Sequence, residues 1–164
     1  MLKVIVPMAT SILATAAIAQ TEIVGNVDSK CIIISETPGV YGNPNPYKLT
    51  TSTTDGGVQP IIRYDVLAAD YYKAVIEHPI EFTSSPSLDD VVTWTGDVEV
   101  SEMSDTGMAD YDTNKVEYDN IHEYQMTVAG STWFKISSTA DYGYTKSFPA
   151  GTYTAVVEAE CIPL

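Results

Sequence analysis

The amino-acid sequence predicts an all-β protein, an antiparallel β-sandwich with Greek-key connections. Three observations predict this class. Apolar and polar residues alternate with period two in several short segments, as in strands with one buried and one solvated face. No segment shows the three-to-four-residue spacing of an amphipathic helix. Polar turns separate the alternating segments, so seven or eight short strands fit into the chain.

The N-terminal residues 1–19 predict a cleaved signal peptide rather than part of the fold. Lys3 supplies a positive charge, and residues 4–16 form an apolar run that is shorter than the roughly 20 residues needed to span a bilayer. Ala17 and Ala19 complete the small-x-small pattern that signal peptidase accepts. We expect cleavage before Gln20 and a secreted product in the periplasm, at the cell surface or outside the cell.

The mature chain, residues 20–164, has a length that suits a single domain with its own core. It keeps seven basic and 22 acidic side chains, a net charge of −15. A surface this acidic repels nucleic acid phosphates and anionic lipid headgroups. We therefore expect no nucleic acid partner and, after cleavage, no membrane span.

Two cysteines, Cys31 and Cys161, lie near opposite ends of the mature chain. An even number of cysteines in an oxidising compartment favours a disulfide bond. An intramolecular bond would tie the first strand to the last. The alternatives are two buried free thiols or a bond between molecules.

Most of the predicted strands are alternating segments with one buried and one wet face, whereas residues 31–34 are a β-branched run expected to be well buried. The predicted strands lie at residues 31–34, 62–66, 72–76, 92–100, 123–128, 133–137 and 153–161. The last is the clearest, because one face carries apolar or small side chains and the other carries Thr and Glu. The buried face of that strand comprises Tyr153, Ala155, Val157, Ala159 and Cys161. The count and spacing are typical of an Ig-like sandwich.

Glycines mark two places where these strands are expected to deviate or turn. Gly96 interrupts an alternating run and predicts either a bulge or the close approach of another backbone. Gly130 lies in a short turn between residues 123–128 and 133–137, which predicts that these two strands form a hairpin.

Two segments, residues 37–58 and 101–120, are predicted to be long irregular loops. The first is rich in Pro and Gly, and the second is acidic and rich in turn-forming residues. Loops of this length are usually functional or mobile.

The sequence gives no support to an enzyme. The Gly-x-Ser-x-Gly motif of a nucleophile elbow does not occur, and His122-Glu123 lacks the second His of a zinc-protease helix. The two histidines, His78 and His122, lie at or near strand edges and are expected to be ordinary residues of a solvated acidic surface. We predict no catalytic residue.

The second loop carries oxygen ligands at spacings that suit calcium. The candidate ligands are Asp105, Asp110, Asp112, Asn114 and Glu117. It is not an EF-hand, because Lys115 stands where that loop requires Gly and Ile121 where it requires a bidentate Glu. The segment is either an irregular calcium site or a solvated turn, and no other cofactor is expected.

Tyrosine is unusually frequent, with 11 Tyr against three Phe. Tyr41 and Tyr47 flank a Pro-stiffened loop, and Tyr142 and Tyr144 precede a turn. Exposed Tyr suits glycan or protein contacts. The alternative is that Tyr replaces Phe at half-buried strand edges, and the pair Tyr41/Tyr47 is the best binding candidate.

Three short motifs carry a resemblance to a known family. Residues 25–31 read Gly-Asn-Val-Asp-Ser-Lys-Cys, residues 39–42 read Gly-Val-Tyr-Gly, and residues 150–157 read Ala-Gly-Thr-Tyr-Thr-Ala-Val-Val. In these motifs the chain resembles exported fimbrial subunits of the spore-coat-U type. The resemblance implies a fimbrial-like β-sandwich in which an N-terminal extension completes the sheet of the neighbouring subunit.

In this chain residues 20–27 would play that part, with Ile23 and Val27 facing inward. Family members usually place both cysteines in the first part of the domain, whereas here the second is Cys161. The chain also looks like small exported proteins of unknown role from marine bacteria and their phages, a likeness that implies a setting and no mechanism.

The sequence thus predicts an exported, non-enzymatic structural or adhesive surface protein. We expect it to associate with copies of itself, or to bind a surface protein, through an edge strand or the two long loops. The alternative is a monomeric extracellular module that recognises glycan or a host surface, with or without calcium.

Overall fold

Strands dominate the described part of the chain. A computed structural model describes residues 30–164. Its strands are β1 (Cys31–Thr37), β2 (Gly42–Asn45), β3 (Lys48–Thr50), β4 (Ile61–Val66), β5 (Tyr72–Glu77), β6 (Thr93–Met103), β7 (Val116–Tyr118), β8 (Ile121–Gln125), β9 (Gly130–Asp141) and β10 (Glu158–Pro163). Two 3-10 helices, Thr53–Asp55 and Thr106–Met108, and the four-residue helix α1 (Tyr111–Asn114) lie between them. The strands form two antiparallel sheets, as expected of an all-β fold.

The first sheet is built around β9. Strand β6 pairs with one side of β9 along most of its length. On the other side β4 pairs with the first half of β9 and β3 with its end. Strand β1 then flanks β4, and β2 flanks β3. In this sheet β1 and β6 are therefore edge strands on opposite sides.

The second sheet has the order β10-β5-β8-β7. It packs face to face on the first sheet, and aromatic side chains from both layers meet between them. Tyr64 of β4 and Phe134 of β9 lie at 5.5 Å between ring centroids, and Tyr124 of β8 lies 4.6 Å from Phe134. All three are at most 1% exposed, as is Ile76 of β5. This arrangement fits the predicted β-sandwich.

The disulfide predicted between Cys31 and Cys161 is present, and the two Cα atoms lie 6.4 Å apart. It joins β1 at the edge of the first sheet to β10 at the edge of the second. The two sheets are thereby tied together on one side of the sandwich.

The predicted hairpin across Gly130 is wrong. Strand β8 pairs with β5 and β7 in the second sheet, whereas β9 belongs to the first. Gly130 begins β9 with φ 142°, a conformation that other residues rarely adopt. The turn carries the chain from one sheet to the other, so that Met126 and Phe134 both face the core from opposite layers.

The two predicted irregular loops contain more regular structure than expected. Residues 37–58 include β2, β3 and a 3-10 helix, and residues 101–120 include the end of β6, both other helices and β7. These strands have three or four residues each, too few for a recognisable alternation. Strand β3 pairs with β9, β2 pairs with β3, and β7 pairs with β8, which raises the number of strands in the described residues to ten.

Gly96 permits a close approach, one of its two predicted roles. A Cβ at this position would lie 2.6 Å from Cγ of His78 and 2.7 Å from the carbonyl oxygen of Ser137. The irregularity in the pairing of β6 falls elsewhere, between Val100 and Glu102.

The predicted signal peptide (residues 1–19) and the extension at residues 20–27 lie outside the described residues. None of the helices within residues 30–164 is long and apolar enough to cross a bilayer.

Candidate functional site

A groove opens beside the disulfide, where the two sheets separate. From Cys31 strand β1 runs forward, and from Cys161 the chain runs back through β10 to residue 151. These two segments diverge, and a groove of about 940 Å³ lies between them. Its walls are β1 and the segment before β10, and its floor includes side chains of β3 and β4.

The groove is mainly apolar. Ile33 lines it from β1, Leu49 from β3, Ile62 from β4 and Val157 from the opposite wall. Two valines near the rim, Val40 and Val156, are 52% and 50% exposed. Such a concave apolar surface, bordered by a sheet edge, is typical of a site for a peptide or another chain.

Within residues 30–164, both walls of the groove have backbone groups without sheet partners. In that part of the chain β1, from Ile33 onward, pairs on one side only, with β4. Across the groove, residues 155–157 form no backbone hydrogen bond to any other residue in the described range 30–164. In this wall Thr154 forms an isolated antiparallel bridge with Ser84, and continuous sheet pairing begins at Glu158. The strand predicted at residues 153–161 therefore has a gap in its pairing at residues 155–157.

The alternation predicted for that wall nevertheless holds. Tyr153, Ala155 and Val157 are half-buried, whereas Thr154 and Val156 between them are exposed. The inward side chains lie over the groove and are only partly covered by the opposite sheet. One further extended segment would both cover these side chains and pair with the free backbone edges.

Of the predicted binding tyrosines, Tyr41 lines this groove. Its hydroxyl lies 2.9 Å from Oγ of Ser138, and its ring packs edge-on against Phe82 at 6.3 Å. Burial raises the pKa of the Tyr41 hydroxyl, an effect that the hydrogen bond with Ser138 partly offsets. Tyr41 therefore remains a neutral hydroxyl at the groove wall.

The other three tyrosines lie apart from Tyr41 in two environments. Tyr47 and Tyr144 pack together at 5.7 Å between ring centroids, and Tyr144 is 85% exposed. Tyr142 is buried, stacks on Phe148 and bonds through its hydroxyl with Asp89. The structure thus pairs Tyr47 with Tyr144 instead of with Tyr41. Tyr142 occupies a buried aromatic site, which is close to the alternative in which Tyr replaces Phe.

The candidate calcium ligands do not converge. Asp105 caps the 3-10 helix at Thr106–Met108 by accepting from the Gly107 amide, and Asp110 occupies the position before α1 without a capping hydrogen bond from its side chain. Asp112 accepts a hydrogen bond from the amide of Val100, and Asn114 ends α1. Glu117 lies on β7 and forms an ion pair with Lys115. Within residues 30–164 no three of the four carboxylates bring their oxygens within 4.8 Å of one another.

Both histidines are buried, contrary to the expectation of ordinary surface residues. His78 is 7% exposed and His122 4%, and their ring centroids lie 5.7 Å apart. Sequence reasoning missed this pair because it depends on pairing between β5 and β8, which are far apart in the chain. It missed the groove for a similar reason, since the floor residue Leu49 lies in a segment predicted to be irregular.

Comparisons with known proteins add no assignment, since no protein-family model, curated protein or solved structure matches the chain.

Proposed function

We propose that this chain is an exported structural or adhesive surface protein that associates with copies of itself through the open groove. The observation that carries the proposal is the groove itself, which has an apolar floor and two facing backbone edges. In the proposed assembly, residues 20–27 of one copy lie as an extra strand between β1 and residues 155–157 of the next. The protein performs no catalysis in this proposal.

The chemistry of residues 20–27 suits this role. Eight residues in extended conformation span roughly 26 Å at about 3.3 Å per residue, which exceeds the roughly 17 Å length of the five-residue wall 33–37. Ile23, Gly25 and Val27 fall on one face of such a strand, and Glu22, Val24 and Asn26 on the other. The first face matches the apolar floor of the groove, and the second, which is polar except for Val24, faces solvent.

The proposal includes the finer features of the predicted class. It takes residues 1–19 as a cleaved signal peptide and the fold as a Greek-key sandwich of Ig-like or fimbrial-like type. The disulfide supports export because such bonds persist in oxidising compartments. Mass spectrometry of the protein secreted from the full-length gene tests cleavage, and we expect a mature chain that starts at Gln20.

The assembly is tested by two matched double variants of the full-length gene. Ile23→Asp with Val27→Asp places two charges on the apolar face of residues 20–27, and Val24→Asp with Asn26→Asp places two on the polar face. We expect oligomers or rods from the natural protein by light scattering and negative-stain microscopy, loss of them in the first variant and retention in the second.

Three results would contradict the proposal. The first is that the natural protein, at high concentration and after secretion from cells, remains a monomer without any larger species. The second is that the variant Ile23→Asp with Val27→Asp assembles as the natural protein does. The third is that hydrogen exchange finds residues 20–27 protected in a monomer, because the segment would then cover the groove of its own chain.

A second candidate function rests on the adjacent rings of Tyr47, which is half-buried, and Tyr144, which is 85% exposed. Two adjacent rings at the surface are a common platform for a sugar or a protein side chain. Replacement of both by Ala would then abolish retention on a glycan array without changing the oligomeric state. Tyr71→Ala is the matched control, since Tyr71 is 66% exposed at another site. Equal retention in all variants would exclude this function.

A further inference from the structure

A cluster of polar side chains, separate from the groove, lies on the side of the sandwich opposite the disulfide. Asp97 comes from β6 at the edge of the first sheet, and Glu117 and His122 come from β7 and β8 of the second sheet. Glu117 and His122 are directly opposite each other in the pairing of β7 with β8. One atom from each of the three side chains lies within 4.8 Å of the others. It is the single such group of three within residues 30–164.

His122 is the unusual member of this cluster. Its side chain is 5% exposed, and neither ring nitrogen has a hydrogen-bond partner among the described residues. A buried polar group without a partner destabilises a fold, so most such groups in proteins are satisfied. Nδ1 of His122 faces the two carboxylates, 3.4 Å from Oε1 of Glu117 and 3.8 Å from Oδ1 of Asp97.

These distances are too long for hydrogen bonds and suit ligands of one metal ion. Good N–H···O bonds measure about 2.7–3.2 Å between heavy atoms. A tetrahedral zinc ion binds His nitrogen and carboxylate oxygen at about 2.0–2.2 Å, which places neighbouring ligand atoms roughly 3.3–3.6 Å apart. A change of a few tenths of an ångström would bring both pairs to that spacing.

Lys115 already provides a positive charge between the carboxylates. Its Nζ lies 2.8 Å from Oδ1 of Asp97 and 2.5 Å from Oε1 of Glu117, and it also donates to the carbonyl of Val98 at 2.9 Å. Lys115 thus neutralises the carboxylates but makes no bond with His122. A metal ion at the same point would bind all three side chains.

The electrostatics agree with a neutral imidazole that can act as a ligand. Burial lowers the pKa of His122, and the charge of Lys115 lowers it further, against the opposite effect of Asp97 and Glu117. Burial acts against the charged form of Lys115, but its bonds with both carboxylates outweigh this and raise its pKa. Lys115 therefore stays charged near neutral pH and competes with any added cation.

We propose that Asp97, Glu117 and His122 form a binding site for a divalent transition-metal ion of the zinc class, in which Lys115 is a displaceable counter-ion. One nitrogen and two oxygen donors suit Zn²⁺ better than Ca²⁺ or Mg²⁺, which prefer oxygen alone. The bound ion crosslinks β6 of the first sheet to β7 and β8 of the second. The displaced ammonium group of Lys115 moves to solvent.

The test measures Zn²⁺ binding to tag-free protein by calorimetry and metal analysis, with the chain expressed from the full-length gene. We expect one Zn²⁺ per chain, at least tenfold weaker binding in His122→Gln and in Asp97→Asn, and tighter binding in Lys115→Met because the competing cation is gone. The control is Glu99→Gln, on the same strand β6, where Glu99 pairs with Lys135 outside the cluster. It should bind Zn²⁺ as the natural protein does.

The variants also separate a metal site from a purely structural cluster. If circular dichroism shows that His122→Gln does not fold, Lys115→Met still distinguishes a metal site from a structural cluster. A purely structural role of Lys115 predicts no gain in Zn²⁺ affinity when Lys115 is replaced. Unchanged or weaker Zn²⁺ binding in folded Lys115→Met would overturn the proposal. So would equal Zn²⁺ affinity in folded His122→Gln and the natural protein.

Discussion

The two lateral sides of the sandwich are closed by different chemistry. On one side β1 faces β10, and the bond between Cys31 and Cys161 joins them at a single point. On the other side β6 faces β7 and β8, and the ammonium group of Lys115 joins Asp97 to Glu117. One side is thus held by a single covalent bond, and the other by ion pairs among three side chains.

The groove lies on the disulfide side because the strands there are joined at only one point. A disulfide holds two strands together without further packing, so β1 and the segment before β10 can diverge beyond it. On the ionic side the strands are held close at Val98, because Tyr124 and Lys115 both donate to its carbonyl. A covalent tie therefore permits an open edge, which the ionic side does not.

The largest expected effect is on the covalent side. Replacement of both Cys31 and Cys161 by Ser removes a bond between residues 130 positions apart in sequence. The chain-entropy estimate for such a loop gives a loss of roughly 5 kcal/mol in the free energy of unfolding. Urea unfolding monitored by circular dichroism measures it, and a reducing agent added to the natural protein should give the same loss. A loss below about 1 kcal/mol would mean that the core and the ionic side hold the sheets together without the disulfide.

On the ionic side the largest effect is expected from Gly96→Ala. The added methyl group would lie within 2.7 Å of His78 and of the backbone of Ser137, so one strand has to move. Overpacking of this kind lowers the free energy of unfolding by about 2 kcal/mol. Thr95→Ala, at an exposed neighbour on β6, is the control and should change it by less than about 0.5 kcal/mol. Equal effects of Gly96→Ala and Thr95→Ala on the free energy of unfolding would mean that β6 can move to accommodate the added methyl group at little cost.

The sequence predicted the covalent side better than the ionic side. A chain with only two cysteines allows one intramolecular pairing, and the alternation at residues 153–161 is a local pattern that survives into the structure. The ionic cluster unites three strands by pairing over long separations, and one of them, β7, lay in a segment predicted to be irregular. The groove is harder still to predict, because a gap between strands leaves no local pattern in the sequence.

Two buried hydroxyl groups allow the sides to be compared directly. Tyr64 donates from the first sheet to the carbonyls of Val75 and Glu160 in the second, on the disulfide side. Tyr124 donates in the reverse direction to Val98, at 2.6 Å, on the ionic side.

Replacing each of these tyrosines by Phe keeps the ring and removes the hydrogen bond. Tyr64→Phe should lower the free energy of unfolding by about 1.5 kcal/mol. Tyr124→Phe should lower it by about 1 kcal/mol or less, because Lys115 still donates to the carbonyl of Val98. Urea unfolding of both variants decides the order. A larger loss for Tyr124→Phe would show that the ammonium group of Lys115 does not compensate for the hydroxyl.

The smallest effect is expected at the groove wall, where one substitution is compared at two sites. Val157 is half-buried above the groove, and Val66 is 1% exposed in the core. Val→Thr replaces a methyl group by a hydroxyl, which must be desolvated in the core but stays hydrated at an open groove. In protein kept monomeric by dilution, Val66→Thr should lower the free energy of unfolding by about 1–2 kcal/mol, and Val157→Thr by less than about 0.5 kcal/mol. Equal losses would mean that the groove is covered in the monomer, and strands from a second copy would then have no place to bind.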